Sequence, residues 1–292
     1  MTITHTAGRA GKLRSFLRRE LGLSSSLVKR LKWRGAFLVD GEPAHTDRMV
    51  LPGSVIAVLL DEDAPEFPPE DGPLDILWED EALLAVDKPA GLLMHPSFYR
   101  ITGTLANFVS GYYRRTGQAC AVHPVSRLDR DTFGVVLLAK NAHIHAQMMA
   151  AMQEGRVRKT YEALVWGAPA QDEGLWDFPI ARRGGESLLR EVRADGQRAV
   201  TRFQVLQRRD GRALVKLEPV TGRTHQLRVH CAHAGCPILG DPQYGTAASQ
   251  ALSRELGLGH QQLCAVSLEF VHPTTGKTLR LQSRQSVSGN AE

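Results

Sequence analysis

Leu13, Phe16, Leu17 and Leu21 recur at the i, i+3, i+4, i+8 spacing of a single helix face, which predicts a short helix. A second helix follows with Leu27, Val28 and Leu31 on its apolar side, Ser25 or Ser26 as its cap and Gly35 as its stop. The pattern then changes to short apolar runs between turn residues. These are a strand at 36–39, an Asp40-Gly41 turn, a Leu51-Pro52-Gly53 turn and a strand at 55–60. Two helices on a small sheet make a unit of about 50 residues, near the lower limit for independent folding.

The next segment, 61–73, carries six acids and four prolines and reads as an extended linker. From Leu74 to about Gln282 the pattern is that of one mixed domain. A continuous apolar strand at 135–139 leads to Asn141, the cap of a helix with Ile144, Met148, Ala151 and Met152 inward and Gly155 as its stop. Strands are expected at 161–166, 201–206 and 213–217. Thr224 is the expected cap of a helix bearing Leu227, Cys231 and Ala234, stopped by Gly235. The polar, Gly-containing stretch 187–198 reads as a hairpin or loop, 263–271 and 279–282 as a closing hairpin, and 283–292 as a frayed tail. The domains expected are therefore 1–61, a linker 62–73, and 74–292.

Composition matters mainly through its distribution. A chain of 292 residues with 42% hydrophobic and 23% charged residues sits near globular averages, which excludes wholesale disorder. No apolar run approaches the roughly 18–20 residues that span a bilayer, and the N-terminus lacks the apolar stretch of a secretory signal. Cys120, Cys231, Cys236 and Cys264 do not make a disulfide framework, so a reducing cytoplasm is the expected location and a membrane is not an expected partner. The net charge of +5 is mild, but it is uneven. Arg9, Lys12, Arg14, Arg18, Arg19, Lys29, Arg30, Lys32 and Arg34 face a single acid, Glu20, in the first 35 residues. That is the footprint of a phosphate-backbone binder, although a solvated helix face would look the same. Arg14, Arg18, Arg19, Lys29, Arg30 and Lys32 are the candidate RNA contacts. The order of elements, with the run from Ser25 to the 55–60 strand, resembles the small ribosomal-protein-type (S-four-like) RNA-binding domain. Gly53-Ser54 stands where that family has Gly-Asp.

Three dense polar clusters interrupt the larger domain. His123 to Gly134 precedes the 135–139 strand, Arg158-Lys159-Thr160-Tyr161 opens another strand, and Thr221 to His230 spans a strand-to-helix junction. Taken singly, each reads as an exposed turn or a capped helix with surface ion pairs of little worth. Together they resemble the RluA-type pseudouridine synthases. The family's His-Arg-Leu-Asp-x-x-Thr-Ser-Gly appears as Ser126-Arg127-Leu128-Asp129-Arg130-Asp131-Thr132-Phe133-Gly134. Its Lys-x-Tyr-x-Ala is Lys159 to Ala163, its Gly-Arg-Thr-His-Gln-(Leu/Ile)-Arg-x-His is Gly222 to His230, and its Gly-His-Pro-Ile-x-Gly-Asp-x-x-Tyr-Gly is Gly235 to Gly245 with Cys236 for His. Lys88-Pro89-Ala90-Gly91 and His95-Pro96 match the opening strand and loop. Ser126, Phe133 and Cys264 depart from the family's residues.

The resemblance implies an α+β fold, a mixed, largely antiparallel sheet flanked by helices beside the small N-terminal α/β domain, with a cleft where the three clusters converge. It also implies an RNA pseudouridine synthase acting on ribosomal RNA or tRNA without a cofactor or metal, expected to be a monomer. Asp129 is its catalytic carboxylate, Arg228 the cationic partner and Tyr161 the aromatic that stacks on the uracil, while Arg127, Lys159, His225 and Leu227 contact the substrate. The chemistry agrees: one carboxylate must be ionised to attack C1′ or take a sugar proton, and a buried carboxylate stays ionised only beside a cation. Two rivals exist. His225, His230, Cys231, His233 and Cys236 invite a metal reading, but their spacing fits no Cys-x-x-Cys or His-Glu-x-x-His site. An RNA-binding protein with a dead catalytic domain is the other, and the joint presence of Asp129, Tyr161 and Arg228 argues against it.

Overall fold

A computed structural model describes residues 1–60, 67–97, 100–184 and 187–287 of the chain. The N-terminal unit contains β1 (Thr2–Thr6), β2 (Gly11–Lys12), α1 (Leu13–Arg19), α2 (Ser25–Lys32), β3 (Phe37–Val39), β4 (Glu42–Pro43), β5 (Met49–Val50) and β6 (Val55–Leu59). Strand β1 was not foreseen. Its only strongly apolar residue is Ile3, and it is a strand because it pairs antiparallel with the apolar β6 at the edge of the sheet β1-β6-β3-β4. Leu13, Phe16 and Leu17 of α1 and Leu27, Val28 and Leu31 of α2 are buried in a core of their own. Ser24, one residue earlier than expected, caps α2 by accepting from the Leu27 N–H at 3.1 Å.

The larger unit begins with β7 (Ile76–Glu79), β8 (Leu83–Lys88), α3 (Leu105–Arg115), β9 (His123–Pro124), β10 (Phe133–Ala139) and α4 (Ala142–Gln153). It continues with β11 (Arg158–Trp166), β12 (Glu173–Asp177), β13 (Ile180–Arg182), β14 (Arg190–Val192), β15 (Val200–Arg209) and β16 (Arg212–Pro219). Helices α5 (Gln226–His233) and α6 (Ala247–Glu255) and strands β17 (Leu263–Val271) and β18 (Thr278–Gln282) complete it. The main sheet runs β12-β15-β16-β11-β17-β10-β8-β7, with β18 on β17 and β9 on β10. Every neighbouring pair is antiparallel except β10–β17, which gives the mixed, largely antiparallel sheet expected. Apolar clusters bury both of its faces, under α3 on one side and α4 on the other. Asn141 caps α4 as expected, accepting from the Ile144 N–H at 2.9 Å. Among the described residues no helix is long and apolar enough to cross a membrane.

Part of the acidic segment, 61–66, lies outside the described residues, while 67–73 is strapped to α3. Phe67 packs on the core, Asn107 Nδ2 donates to the Pro68 carbonyl at 2.9 Å, and the strap crosses the helix at Gly111, where a Cβ would strike the Glu70 carbonyl. Helix α3 was not foreseen, because Ser110-Gly111 dilutes its apolar face; Thr104 and Asn107 cap it as a box. Residues 283–287 are tied down, not frayed: the Ser283 hydroxyl, the Arg284 N–H and Gln285 Nε2 all donate to the buried Asp87 carboxylate, and Val287 is buried. A carboxylate 2% exposed on β8 needs those donors, and the tail supplies them. Residues 288–292 lie outside the described residues.

Candidate active site

Three adjacent strands gather the polar clusters. Cys264 on β17 pairs with Phe133 on one side and Glu162 on the other, so the start of β10 and the Tyr161 region of β11 flank the same strand. Gly134 permits the parallel contact. Its φ is +107°, and a Cβ there would strike the Ala265 carbonyl. Immediately before β10, Asp129 to Thr132 form a turn closed by the Thr132 N–H on the Asp129 carbonyl at 3.2 Å.

The third cluster arrives on α5. The expected cap, Thr224, does not serve. The cap residue is His225, with left-handed backbone (φ +57°, ψ +19°) and no side-chain cap bond. The buried amide of Gln226 holds the junction: its Oε1 accepts from the Thr221 hydroxyl (2.8 Å) and the Arg223 N–H (2.9 Å), and its Nε2 donates to the Val200 carbonyl (3.0 Å). Sequence reasoning passed over this residue because a glutamine on a polar helix start looks solvated.

Asp129 and Arg228, 99 positions apart, meet: Arg228 Nη1 donates to Asp129 Oδ2 at 3.0 Å. Arg228 is also held by Asp241 in a bidentate pair, Nε to Oδ2 at 2.7 Å and Nη2 to Oδ1 at 2.9 Å, and Nη2 donates to Gln243 Oε1 at 2.7 Å. Burial alone would lower the guanidinium pKa, but the bonds and charges of Asp241 and Asp129 outweigh it and hold the pKa above its ordinary value. The side chains grade from a dry base to an open mouth, with Asp241 0%, Arg228 5% and Asp129 29% exposed. Asp241 stood in a matched motif without a role. A carboxylate following Ile238-Leu239-Gly240 was the available signal that it sits in an apolar wall and needs a cation.

Tyr161 is buried in the same apolar cluster as Leu128 and Leu227. Burial raises its hydroxyl pKa, and the charge of Asp129 raises it further. Leu227, 8% exposed, forms part of that wall. His225 approaches Asp129 Oδ2 with its Nε2 at 3.9 Å, and its Nδ1 shares a 2.8 Å hydrogen bond with the Tyr244 hydroxyl, which accepts from the Arg190 N–H at 2.9 Å. Its pKa is lowered, by burial first and then by Arg228 and Arg190 against the opposing pull of Asp129 and Asp241. Lys159, with its pKa lowered by burial, lies against Gly222. Arg127 is exposed and makes no ion pair among the described residues, whereas Arg130 is paired with Asp131 at 2.9 Å. Arg14, Arg18, Arg19, Lys29, Arg30 and Lys32 belong to the N-terminal unit and are exposed there.

Lys88, fully buried, cross-links the site. Its Nζ donates to the carbonyls of Pro89 (2.9 Å), Leu92 (2.8 Å) and Arg130 (2.8 Å), tying the opening loop to the Asp129 turn. Burial brings its pKa down to about 8 against the opposing charges of Asp131 and Asp129. The three departures from the family pattern lie in the scaffold. The Ser126 hydroxyl accepts from the Leu137 N–H, Phe133 sits edge-on to His260, and Cys264 Sγ lies 3.5 Å from the Gln285 carbonyl. The residues of the metal reading are engaged otherwise: His230 Nε2 bonds the Phe178 carbonyl, and Cys231 and Cys236 are buried thiols whose pKa values burial raises. Among the described residues no three His, Cys, Asp or Glu side chains gather as a metal would require.

Comparison with known proteins gives the same frame. Residues 82–233 match the model of the RNA pseudouridylate synthase family. The chain is 37% identical to the RNA pseudouridine synthase YjbO of Bacillus subtilis over 90% of its length and 92% of the relative's. It is also 37% identical to the ribosomal large subunit pseudouridine synthase D of Xanthomonas campestris, over 84% of this chain and 76% of that one. Among solved structures, the human RNA pseudouridylate synthase domain containing 1 superposes with a TM-score of 0.60 at 25% identity, covering 75% of this chain and 86% of its own. Carrying this family's fold and matching its model over more than half of its length, the chain belongs to the RNA pseudouridylate synthases, enzymes that isomerise uridine in RNA.

Proposed function

We propose that Asp129 is the catalytic carboxylate of this synthase, oriented by Arg228 and served by Tyr161 and His225. The carrying observation is the 3.0 Å contact of Arg228 with Asp129 Oδ2. It occupies one carboxylate oxygen and leaves Oδ1 without a hydrogen bond among the described residues, free to attack C1′ or to take a sugar proton. Attack forms an ester between Oδ1 and C1′ as the N1–C1′ bond breaks, whereas removal of the sugar proton expels the uracil with the N1 electron pair. The uracil then turns, C5 bonds to C1′ as that ester bond breaks or as the proton returns to the sugar, and the C5 proton leaves while N1 gains one, so the reaction is an isomerisation with no net redox change. Tyr161 supplies the ring on which the detached uracil rests, and the buried wall around it keeps out the water that would hydrolyse the intermediate.

His225 is neutral and turns an N–H toward Asp129 at 3.9 Å, too long for a hydrogen bond in this structure. The Arg190 N–H donates to Tyr244 Oη, so the phenol proton is free to go to His225 Nδ1, which leaves Nε2–H facing Asp129 Oδ2. Arg127 and Lys159, neither ion-paired among the described residues, are suited to RNA phosphates at the point where the target nucleotide leaves its stack.

The domain organisation follows: 1–61 as an S-four-like RNA-binding unit, 62–73 as a linker whose second half, 67–73, packs on α3, and 74–292 as the catalytic domain. Its support is a separate core and a basic surface, although Arg9 is taken up internally by Glu20 at 3.0 Å and Arg18 by the Leu23 carbonyl. One copy of the chain brings Asp129, Tyr161 and Arg228 together, which supports a monomer. Relatives named for the large ribosomal subunit favour ribosomal RNA over tRNA as the substrate, and an RNA substrate favours the cytoplasm. The test uses RNA labelled with tritium at uridine C5. The protein should release label to water, and Asp129→Asn should abolish release while RNA binding persists. Undiminished release by that variant would refute the role of Asp129.

A further inference from the structure

Helix α2 has a residue that its amphipathic pattern does not explain. Leu27, Val28 and Leu31 form its buried side. Continuing the helical phase, Lys29, Lys32 and Trp33 lie on the opposite side, with Trp33 near its middle. Trp33 holds helical backbone (φ −74°, ψ −12°) as the C-cap and is 80% exposed. Lys32 Nζ stands 5.9 Å from its ring centroid, and Lys29, Arg30 and Arg34 are exposed beside it. No acid occurs between Ser24 and Val39. A tryptophan is a costly residue to leave in water, and here its ring lies near the Lys32 ammonium at the end of a short basic helix.

We propose that Trp33 is a stacking platform for an unpaired RNA base outside the reacting uridine, with Lys29 and Lys32 on the phosphates flanking that base. This rests on the reading of the N-terminal unit as RNA-binding and adds a preference to it. Cations alone hold any backbone, whereas an exposed indole rewards a base that has left its stack. The interaction would bias the unit toward loops and bulges over continuous duplex.

The experiment measures binding of the full-length protein to two RNAs of equal length, one a hairpin with an unpaired loop and one a blunt duplex, across a salt series. Trp33→Ala should weaken hairpin binding on the order of tenfold, leave duplex binding nearly unchanged, and keep the salt slope, since no charge is lost. Trp33→Phe should recover most of the hairpin affinity, because a smaller ring still stacks. The melting temperature of both variants should match the parent, as the side chain packs on little else. Hairpin affinity unchanged in Trp33→Ala would overturn the proposal and leave the surface to a protein partner. The double variant Lys29→Ala with Lys32→Ala separates the two layers. A salt slope equal to the parent's would refute RNA binding by this helix and the stacking role with it, whereas a reduced slope beside an unaffected Trp33→Ala would refute stacking alone.

Discussion

Arg228 stands between two carboxylates of different character, the fully buried Asp241, bound through two nitrogens, and the partly open Asp129, bound through one. The asymmetry divides their work. Asp241 compensates the buried charge and fixes the guanidinium plane, and Asp129 can then use the remaining nitrogen without having to satisfy the whole cation. Asp241→Asn should therefore destabilise the fold by about 3–5 kcal/mol, the usual consequence of stranding a buried charge, and lower turnover as the plane loosens. Urea unfolding together with single-turnover tritium release measures both. Arg228→Ala should cost turnover more than RNA affinity, read as a fall in kcat with little change in KM, because it acts on the carboxylate rather than on the RNA.

At the scale of elements, the site depends on how one strand starts. Gly134 lets β10 lie parallel to β17 directly after the Asp129 turn, and no side chain fits against the Ala265 carbonyl. Gly134→Ala should cost at least about 2 kcal/mol through backbone strain and displacement, with activity falling too because the turn is carried on that strand. Helix α2 offers a contrast remote from the chemistry. Removing its cap in Ser24→Ala should cost about 1 kcal/mol, visible as a lower unfolding midpoint, and Ser24→Asp should restore it by supplying the same acceptor.

For the whole molecule, two consequences follow from how charge is distributed. If the basic N-terminal face holds RNA, deleting 1–61 should weaken affinity and flatten its salt dependence, while tritium release survives at high RNA concentration. An unchanged slope would mean that the face is merely solvated. The second concerns acid. His143, His225 and His230 have pKa values lowered below the ordinary 6.5, with burial the largest cause for each. As pH falls through that value the unfolded chain takes up protons at these positions and the folded chain does not, so the contribution of these histidines to stability falls with pH. The loss is complete only below the folded-state values, where both states are protonated. Unfolding midpoints measured between pH 7 and pH 5 should decline, and replacing His143 by an uncharged residue of similar size should make the decline shallower.

Local chemistry was enough to mark out much of this protein. The spacing of Leu13, Phe16 and Leu17, the cap at Asn141 and the apolar run 135–139 declare their elements because each is set by neighbours within a few residues. The three polar clusters were equally legible, and their ordered motifs pointed to the family. Strand β1 was not, since an edge strand is decided by its partner β6. Nor was the docking of 283–287, which answers the burial of Asp87 nearly 200 positions earlier, nor the left-handed His225 in place of a Thr224 cap. The family resemblance assigned Arg228 to Asp129, but Asp241 as the second carboxylate on Arg228, Lys88 as the tie to the Asp129 turn and Gln226 as the lock on α5 came only from the tertiary structure. The physical reason is common to all of them. A buried charge or amide must find its complement among whatever groups the sheet brings near, and chain order carries no record of that proximity.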